Sequence, residues 1–442
     1  MKYLLIRPKY FATVASVEPL GLEYIAAVLK QEGKEYEIHD EFVYSYFFRF
    51  ARIKNIIKKH NYDIVCFSTT ANKAHYILKV AKKLKHCFPH IKILLGGAEV
   101  SINYKDFYLE NIDFVYYDHG LESFRGLVQN DFDLKTLSQS KGVAYKTIDG
   151  DTVNWVQNEQ GAPINDYNFE PDRSFFYKHK RKYYIIGKGR FALLRTSFSC
   201  PEACVFCVSR LLNGASYQER KIDNVINEIS NINGDKIWII DDDFLANSER
   251  ALTIANELVK RGIKKTFMIF ARADSIIKNA DHLAFLRKAG FRDMLVGLEA
   301  VDNKFLNEYN KNSSTEINER AVDLLNEHKI VCNALFVTSL DFEAKNFEEI
   351  HRFIKRKKLI WSLFSILTPY KGSSLYEENK DHLYKFEYER LGGTRIILEP
   401  KKLSHFAYYF HFNMLYVRRY PKLYWATLTR KYDRLVADNE VF

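Results

Sequence analysis

Along the first third of the chain, short apolar runs alternate with amphipathic stretches. Lys2–Ile6, Tyr36–His39, Asp63–Ser68, Ile91–Leu95 and Phe114–Tyr117 have the length and the β-branched or aromatic content of strands. Between them, Leu20–Lys30, Phe50–Lys59 and Ala74–His86 carry helical periodicity, the first stopped by Gly33, and a further helix is predicted from Glu122. Strict β/α alternation implies a parallel, doubly wound sheet with right-handed crossovers. Ligands bind such sheets beyond the carboxyl ends of the strands.

Residues 131–185 break the pattern. Turn signals at Asp149-Gly150, Gly161-Ala-Pro163 and Glu170-Pro171-Asp172 predict a connecting segment with one hairpin, and Asp166–Arg173 leads into the next domain. Alternation then resumes with six units. Their strands are predicted at Phe191–Thr196, Lys236–Ile240, Thr266–Phe270, Asp293–Val296, Val331–Val337 and Trp361–Leu367. Helices are predicted at Asp223–Ile232, Ser248–Arg261, Asp281–Ala289, Ile317–Lys329 and Phe347–Lys357, with Gly234, Gly262 and Gly290 at helix ends. The expected division is an α/β domain over 1–135, a linker over 136–187, a β/α barrel over 188–375 and a helical tail over 376–442.

Composition narrows the class. At 442 residues there is room for two or three domains, and 47% apolar with 27% charged residues is ordinary for a globular protein. With 29 Tyr and 33 Phe against 9 Pro, long disordered regions are not expected. No run of 18 apolar residues exists to form a transmembrane helix. The N-terminus, charged at Arg7 and Lys9, reads as a first strand and not as a signal peptide. Six cysteines make no disulfide framework; Cys66, Cys87 and Cys332 read as buried thiols, and a reducing cytoplasm is the expected compartment. The net charge of +11 is concentrated in part at the end, where residues 401–442 hold eight Lys/Arg against three Asp/Glu. Such a tail suits phosphate groups of nucleic acid or a membrane surface; a solvated basic helix face is the plain alternative.

The chemistry centres on Arg195-Thr-Ser-Phe-Ser-Cys200-Pro-Glu-Ala-Cys204-Val-Phe-Cys207, which follows the strand-like Phe191-Ala-Leu-Leu. Three thiolates at C-x3-C-x2-C spacing on one loop suit three irons of a cubane [4Fe–4S] cluster and leave the fourth iron open to a chelating ligand. A structural zinc loop is the alternative, but zinc takes four closed ligands and no second cysteine pair is present. The spacing and setting resemble the radical S-adenosylmethionine (SAM) superfamily, in which the amino and carboxylate groups of SAM occupy that iron. Six β/α units match its partial barrel. The resemblance implies Cys200, Cys204 and Cys207 as cluster ligands and Phe206 as a neighbour of SAM.

Barrel chemistry gathers at the C-terminal ends of strands. The second strand ends in Asp241-Asp242-Asp243, where mutually repelling carboxylates call for a cation. The resemblance assigns the SAM ammonium to Asp242 and Asp243, although the usual Gly-Gly-Glu is replaced by an Asp-Asp-x-Phe version; a turn capping the next helix is the alternative. Arg272 can grip the SAM carboxylate with its guanidinium fork or make a structural contact with Asp274. Glu299, after Gly297, is the expected partner of the ribose hydroxyls. Thr338 opens Thr338-Ser339-Leu340, where the family often has Gly-x-Pro beside adenine. Thr368-Pro369-Tyr370-Lys371-Gly372-Ser373 resembles the family's closing Pro-x-Pro-Gly-Thr.

In the first domain the strand-end loops are Pro8-Lys9-Tyr10, Ser68-Thr69-Thr70, Gly96-Gly97-Ala98-Glu99 and Asp118-His119-Gly120. With Pro19-Leu-Gly-Leu-Glu-Tyr-Ile-Ala-Ala-Val-Leu, they resemble the cobalamin-binding module found ahead of many radical SAM barrels. The resemblance implies Pro8, Ser68, Thr69, Gly96, Gly97, Glu99 and Gly120 as cobalamin contacts. The Asp-x-His-x-x-Gly motif of axial-histidine proteins is absent, as it commonly is in these relatives, and an empty retained scaffold is the alternative.

The aromatic run Phe406–Trp425, with Arg418 and Arg419 inside it, predicts a helix packed on the open side of the barrel, or one resting on anionic lipid. The function expected from the resemblance is reductive SAM cleavage and C-methylation of a small-molecule, peptide or lipid-like substrate, with flavodoxin or ferredoxin as electron donor. A rearrangement or cyclisation with a non-methylating or vestigial cobalamin domain is the second reading, and a zinc-stabilised binding protein the third. No RNA-binding module supports a nucleic-acid substrate.

Overall fold

The structure is a computed structural model and describes residues 1–9, 15–150, 152–163, 170–384 and 387–437. Tyr10 and Asp166, singled out above, lie outside the described residues. The chain forms two compact units: Met1–Tyr183 with Leu211–Gln218, and Tyr184–Arg210 with Glu219–Phe442.

The first unit is built on strands β1 (Lys2–Arg7), β2 (Glu35–Asp40), β3 (Ile64–Ser68), β4 (Lys92–Gly96), β5 (Phe114–Tyr116), β6 (Val143–Asp149) and β7 (Thr152–Gln157), in the order β2-β1-β3-β4-β5-β6-β7. The first five are parallel, running from Lys2↔Glu35 to Arg7↔Asp40 between β1 and β2 and from Ile64↔Lys92 to Ser68↔Gly96 between β3 and β4. Tyr3, Leu4, Leu5 and Ile6 are wholly buried, as a central parallel strand with both faces covered requires. The strand order reverses at β1 and β3, which opens the crevice where ligands of doubly wound sheets bind. The hairpin expected in the connecting segment is β6–β7, turning at Gly150 with φ of 59°, and it extends this sheet antiparallel to β5.

The second unit carries β8 (Ala192–Leu194), β9 (Lys236–Ile239), β10 (Thr266–Arg272), β11 (Phe291–Glu299), β12 (Val331–Thr338) and β13 (Trp361–Ile366), all parallel and in sequential order. Sequential parallel strands with helices between them make the partial barrel. The fourth strand starts two residues earlier than its apolar pattern predicts, because Phe291 and Arg292 are themselves buried. Asp293 holds Lys188 at 2.7 Å, and Asn333 bonds both side chains. Burial pulls the Lys188 ammonium below its ordinary value, and the rings of Trp361 and Tyr432 stand 5.4 and 5.0 Å from it.

Three helices, His405–Val417, Tyr420–Leu428 and Lys431–Val436, follow the barrel. Tyr408, Phe412 and Leu415 of the first are buried at its inner face. The Tyr416 hydroxyl accepts from the backbone N–H of Phe364 at 3.1 Å and donates to its carbonyl at 2.6 Å, meeting both free backbone groups of one residue on β13. Ala426, Tyr432 and Val436 pack with Phe191, Met268, Leu295, Val331 and Trp361 and plug the N-terminal end of the strands.

Candidate functional site

The cysteine loop leaves β8 through Ser199, held in the left-handed region at φ of 67°, with its hydroxyl on the carbonyl of Arg210 at 2.9 Å. Backbone bonds from Val205 N–H to Tyr309 O at 3.2 Å and from Leu375 N–H to Val205 O at 3.0 Å pin the loop from two sides. The Cys207 N–H donates to Cys204 O at 3.1 Å. Cys200, Cys204 and Cys207 are half-buried and unpaired. Burial pushes Cys200 up to about 11 and raises Cys204, against the opposing charges of Lys311 and Arg272. Thiols so disfavoured as thiolates ionise when a metal takes them, so the donor set fits an iron–sulfur cluster. Among the described residues no three His, Cys, Asp or Glu side chains converge on a single-ion geometry.

The strand ends around the loop divide by what already occupies their polar groups. Asp241 is taken by the fold: its carboxylate accepts from the Thr196 N–H at 2.6 Å and from the Thr196 hydroxyl, tying β8 to β9. Asp242 lies 3.9 Å from Arg195. Asp243 is buried, accepting from Ser275 Oγ at 2.6 Å and from Leu245 N–H at 3.2 Å; burial pushes its carboxyl up to about 6. A carboxyl raised by desolvation gains most from a cation placed beside it.

Arg272 stands at the loop with Nη1 3.9 Å from Cys204 Sγ. Its fork is shared between Asp274, at 2.9 and 3.2 Å, and the Lys311 carbonyl at 2.7 Å, so the structural contact with Asp274 is realised. Glu299 is buried with φ of 61°, a backbone state uncommon for a side-chain-bearing residue and concentrated at functional sites. Lys311 Nζ bonds its Oε1 at 2.8 Å. A Cβ on Gly297 would stand 2.5 Å from Glu299 Oε1 and 2.9 Å from Lys311 Nζ, so the glycine makes room for this pair. Thr338 is buried and receives the Tyr408 hydroxyl on its Oγ1 at 2.8 Å. Phe206 meets Tyr309 edge-on at 5.7 Å. Sequence reasoning missed Lys311, Ser275 and Tyr408. Lys311 sits in the polar run Asn310-Lys311-Asn312 with no periodic signal, and Tyr408 lies far along the chain from the strand end it bonds.

In the first unit, the loops after β3 and β4 form one cradle. The Thr69 N–H donates to Gly96 O at 2.7 Å and the Glu99 N–H to Thr69 O at 3.2 Å, with Ser68 paired to Gly96 in register. Gly97 has φ of 102°, and a Cβ there would stand 2.8 Å from both the Thr69 nitrogen and oxygen. Thr69 is fully buried and its hydroxyl has no partner. Pro8 is buried at the end of β1, and the Gly120 carbonyl accepts from Tyr116 at 2.7 Å. A glycine-lined cradle with an unsatisfied buried hydroxyl fits a bound cofactor. Asp118, which opens the loop after β5, accepts from His119 N–H, Ser123 Oγ and Gly161 N–H at 3.0, 2.5 and 3.1 Å and fixes that turn.

Comparison with known proteins follows the same division. Residues 11–128 match the B12 binding domain and residues 194–354 the Radical SAM superfamily. The chain is 24% identical over 412 residues to the hopanoid C-3 methylase of Methylococcus capsulatus, covering 91% of this chain and 77% of that protein. It is 25% identical over 422 residues to the anaerobic magnesium-protoporphyrin IX monomethyl ester cyclase of Cereibacter sphaeroides, covering 91% and 68%. Among solved structures, the radical SAM methyltransferase TsrM of Kitasatospora setae, with cobalamin and a [4Fe-4S] cluster bound, superposes with a TM-score of 0.67 at 14% identity over 86% of this chain and 74% of that one. The cobalamin-dependent radical SAM enzyme OxsB superposes with a TM-score of 0.65 at 16% identity over 86% of this chain, which spans 55% of its length.

Proposed function

The chain belongs to the radical SAM superfamily, with a B12-binding domain ahead of its barrel, and from that premise we propose that it is a cobalamin-dependent enzyme that methylates an unactivated carbon of a small-molecule, peptide or lipid-like substrate. The observation that carries the reading is the pairing, in one chain, of a three-thiol loop at the first barrel strand with the Thr69–Gly97 cradle of the upstream sheet. When bound, the cluster supplies the electron that cleaves SAM reductively and cobalamin serves as carrier of the methyl group. The protein supplies position and electrostatics.

In this reading Cys200, Cys204 and Cys207 hold three irons. Asp243 receives the SAM ammonium, whose positive charge restores the ionised carboxylate that burial disfavours. Glu299, already aimed by its left-handed backbone and Lys311, accepts from the ribose hydroxyls. Arg272, oriented by Asp274, places positive charge beside Cys204. Thr338, Phe206 and the Tyr408–Thr338 bond shape the adenine side. Pro8, Ser68, Thr69, Gly96, Gly97, Glu99 and Gly120 line the corrinoid side, and the Thr69 hydroxyl is the donor waiting for a partner. Flavodoxin or ferredoxin is the class of electron donor this chemistry needs. Among the described residues no helix is long and apolar enough to cross a membrane.

A second reading, ring closure without methyl transfer, is favoured by the similarity to the cyclase. Anaerobic reconstitution with iron, sulfide and cobalamin tests the methylation reading. Methyl transfer requires corrinoid absorbance together with a brown cluster band lost in Cys204→Ala. A cluster band with no corrinoid bands after reconstitution rejects methylation in favour of the second reading. A colourless, zinc-containing preparation rejects both.

A further inference from the structure

The tail helices have two apolar faces and the barrel buries only one. On His405–Val417 the inner face is Tyr408, Phe412 and Leu415, while Phe406, Phe410 and Val417 are 83%, 54% and 58% exposed at helical spacing on the opposite side. On Tyr420–Leu428 only Ala426 is buried, and Tyr420, Tyr424, Trp425 and Leu428 are 67%, 55%, 67% and 59% exposed. Seven large apolar side chains on consecutive helices form a strip that a soluble protein rarely leaves to water without a partner.

Charge identifies that partner. Lys422, Arg430, Lys431 and Arg434 are exposed along the same tail, and Arg418, also exposed, is paired with Glu348 at 2.5 Å. The single acidic side chain among described residues 405–437 is Asp433, already bonded to Lys236 and Arg430. Trp and Tyr beside Lys and Arg is the composition of a helix that lies in a lipid headgroup layer: the rings enter the boundary and the cations meet anionic phosphates. A second copy of this chain would set this positive face against its own like charges. Single-stranded nucleic acid would stack on the rings but leave the aliphatic Val417 and Leu428 unsatisfied.

We propose that the helices spanning 405–436 dock the protein on the surface of an anionic lipid bilayer. The proposal is independent of the reaction catalysed. Docking keeps Tyr408, Tyr416 and Tyr432 on the barrel, since the exposed strip and the buried anchors occupy opposite faces.

The test is flotation of the full chain with extruded vesicles, either of phosphatidylcholine alone or of equal parts phosphatidylcholine and phosphatidylglycerol. The wild type is expected to float with the anionic vesicles, weakly with the neutral ones, and less as salt is raised. Replacing Lys422, Arg430 and Lys431 by Gln lowers partitioning about fivefold for each cation removed. Tyr424→Ser with Trp425→Ser abolishes flotation on the remaining neutral attraction. Circular dichroism and the thermal midpoint should be unchanged, because none of these side chains is buried. Absence of flotation with anionic vesicles overturns the proposal. So does equal flotation of the wild type and the triple Gln variant. A wild-type dimer split by the Ser variant, or retention by single-stranded RNA with no vesicle binding, overturns it in favour of the other occupant.

Discussion

Gly97→Ala tests the proposed cobalamin cradle without touching the barrel. The added methyl would stand 2.8 Å from both the nitrogen and the oxygen of Thr69, inside the 3.0 Å that Cβ contacts essentially never breach. Both are backbone atoms of a residue bonded to Gly96 and Glu99, so no side chain can swing away. The φ of 102° adds its own cost for any L side chain. Conformational strain of about 1–3 kcal/mol plus an overpacking cost of similar size gives about 2–6 kcal/mol. For a unit of this size that lowers the thermal midpoint by on the order of 10 °C. Relief requires Thr69 to move from Gly96, which opens the cradle. Anaerobically reconstituted Gly97→Ala should therefore keep the cluster band, lose most corrinoid absorbance and melt earlier. Wild-type corrinoid binding with an unchanged midpoint would refute the argument that Gly97 is there for backbone approach.

Further outcomes follow from the barrel. The Asp243 carboxyl sits near 6 in the folded protein against 3.8 ordinarily, so between those values the native state binds more protons than the unfolded one, and stability falls as pH rises through the window. Asp243→Asn should flatten that dependence and stabilise the SAM-free protein at pH 7 by about 2–3 kcal/mol in chemical denaturation, while weakening SAM binding in calorimetry. Lys311→Met leaves Glu299 buried without its cation and should cost about 3–5 kcal/mol, read by denaturant titration, with Glu299→Gln in the same chain recovering much of it. Tyr432→Ala empties the plug below Trp361 and should cost about 3–5 kcal/mol by the same measurement, with the cluster band retained.

The architecture was legible because strands and helices alternate with short punctuation. Apolar runs such as Asp63–Ser68 and glycines such as Gly97 mark element ends directly. The hairpin was visible at Asp149-Gly150, but its joining the sheet was not, since pairing of β6 to β5 depends on partners outside the segment. The cysteine loop was legible from spacing alone. The division of labour within Asp241-Asp242-Asp243 was not: identical side chains in a row differ only by which neighbour reaches each, Thr196 for the first and Ser275 for the third. Lys311 and Tyr408 were silent for the same reason, being brought to Glu299 and Thr338 by tertiary structure from segments without a motif.

The hydroxyl of Tyr416 on Phe364 bears on how a barrel can remain unclosed. β13 is a terminal strand, and a bare row of N–H and C=O groups there would recruit strands from other molecules. The Ile366 N–H is met by the Gly393 carbonyl at 2.7 Å, and one phenol, acting as donor and acceptor at once, occupies the place of the next strand's backbone at the middle of that edge. The chain thereby keeps its six-stranded wall from becoming a template for aggregation without adding a seventh strand. Tyr416→Phe should leave the fold intact but shorten the soluble lifetime of concentrated protein, measured by light scattering.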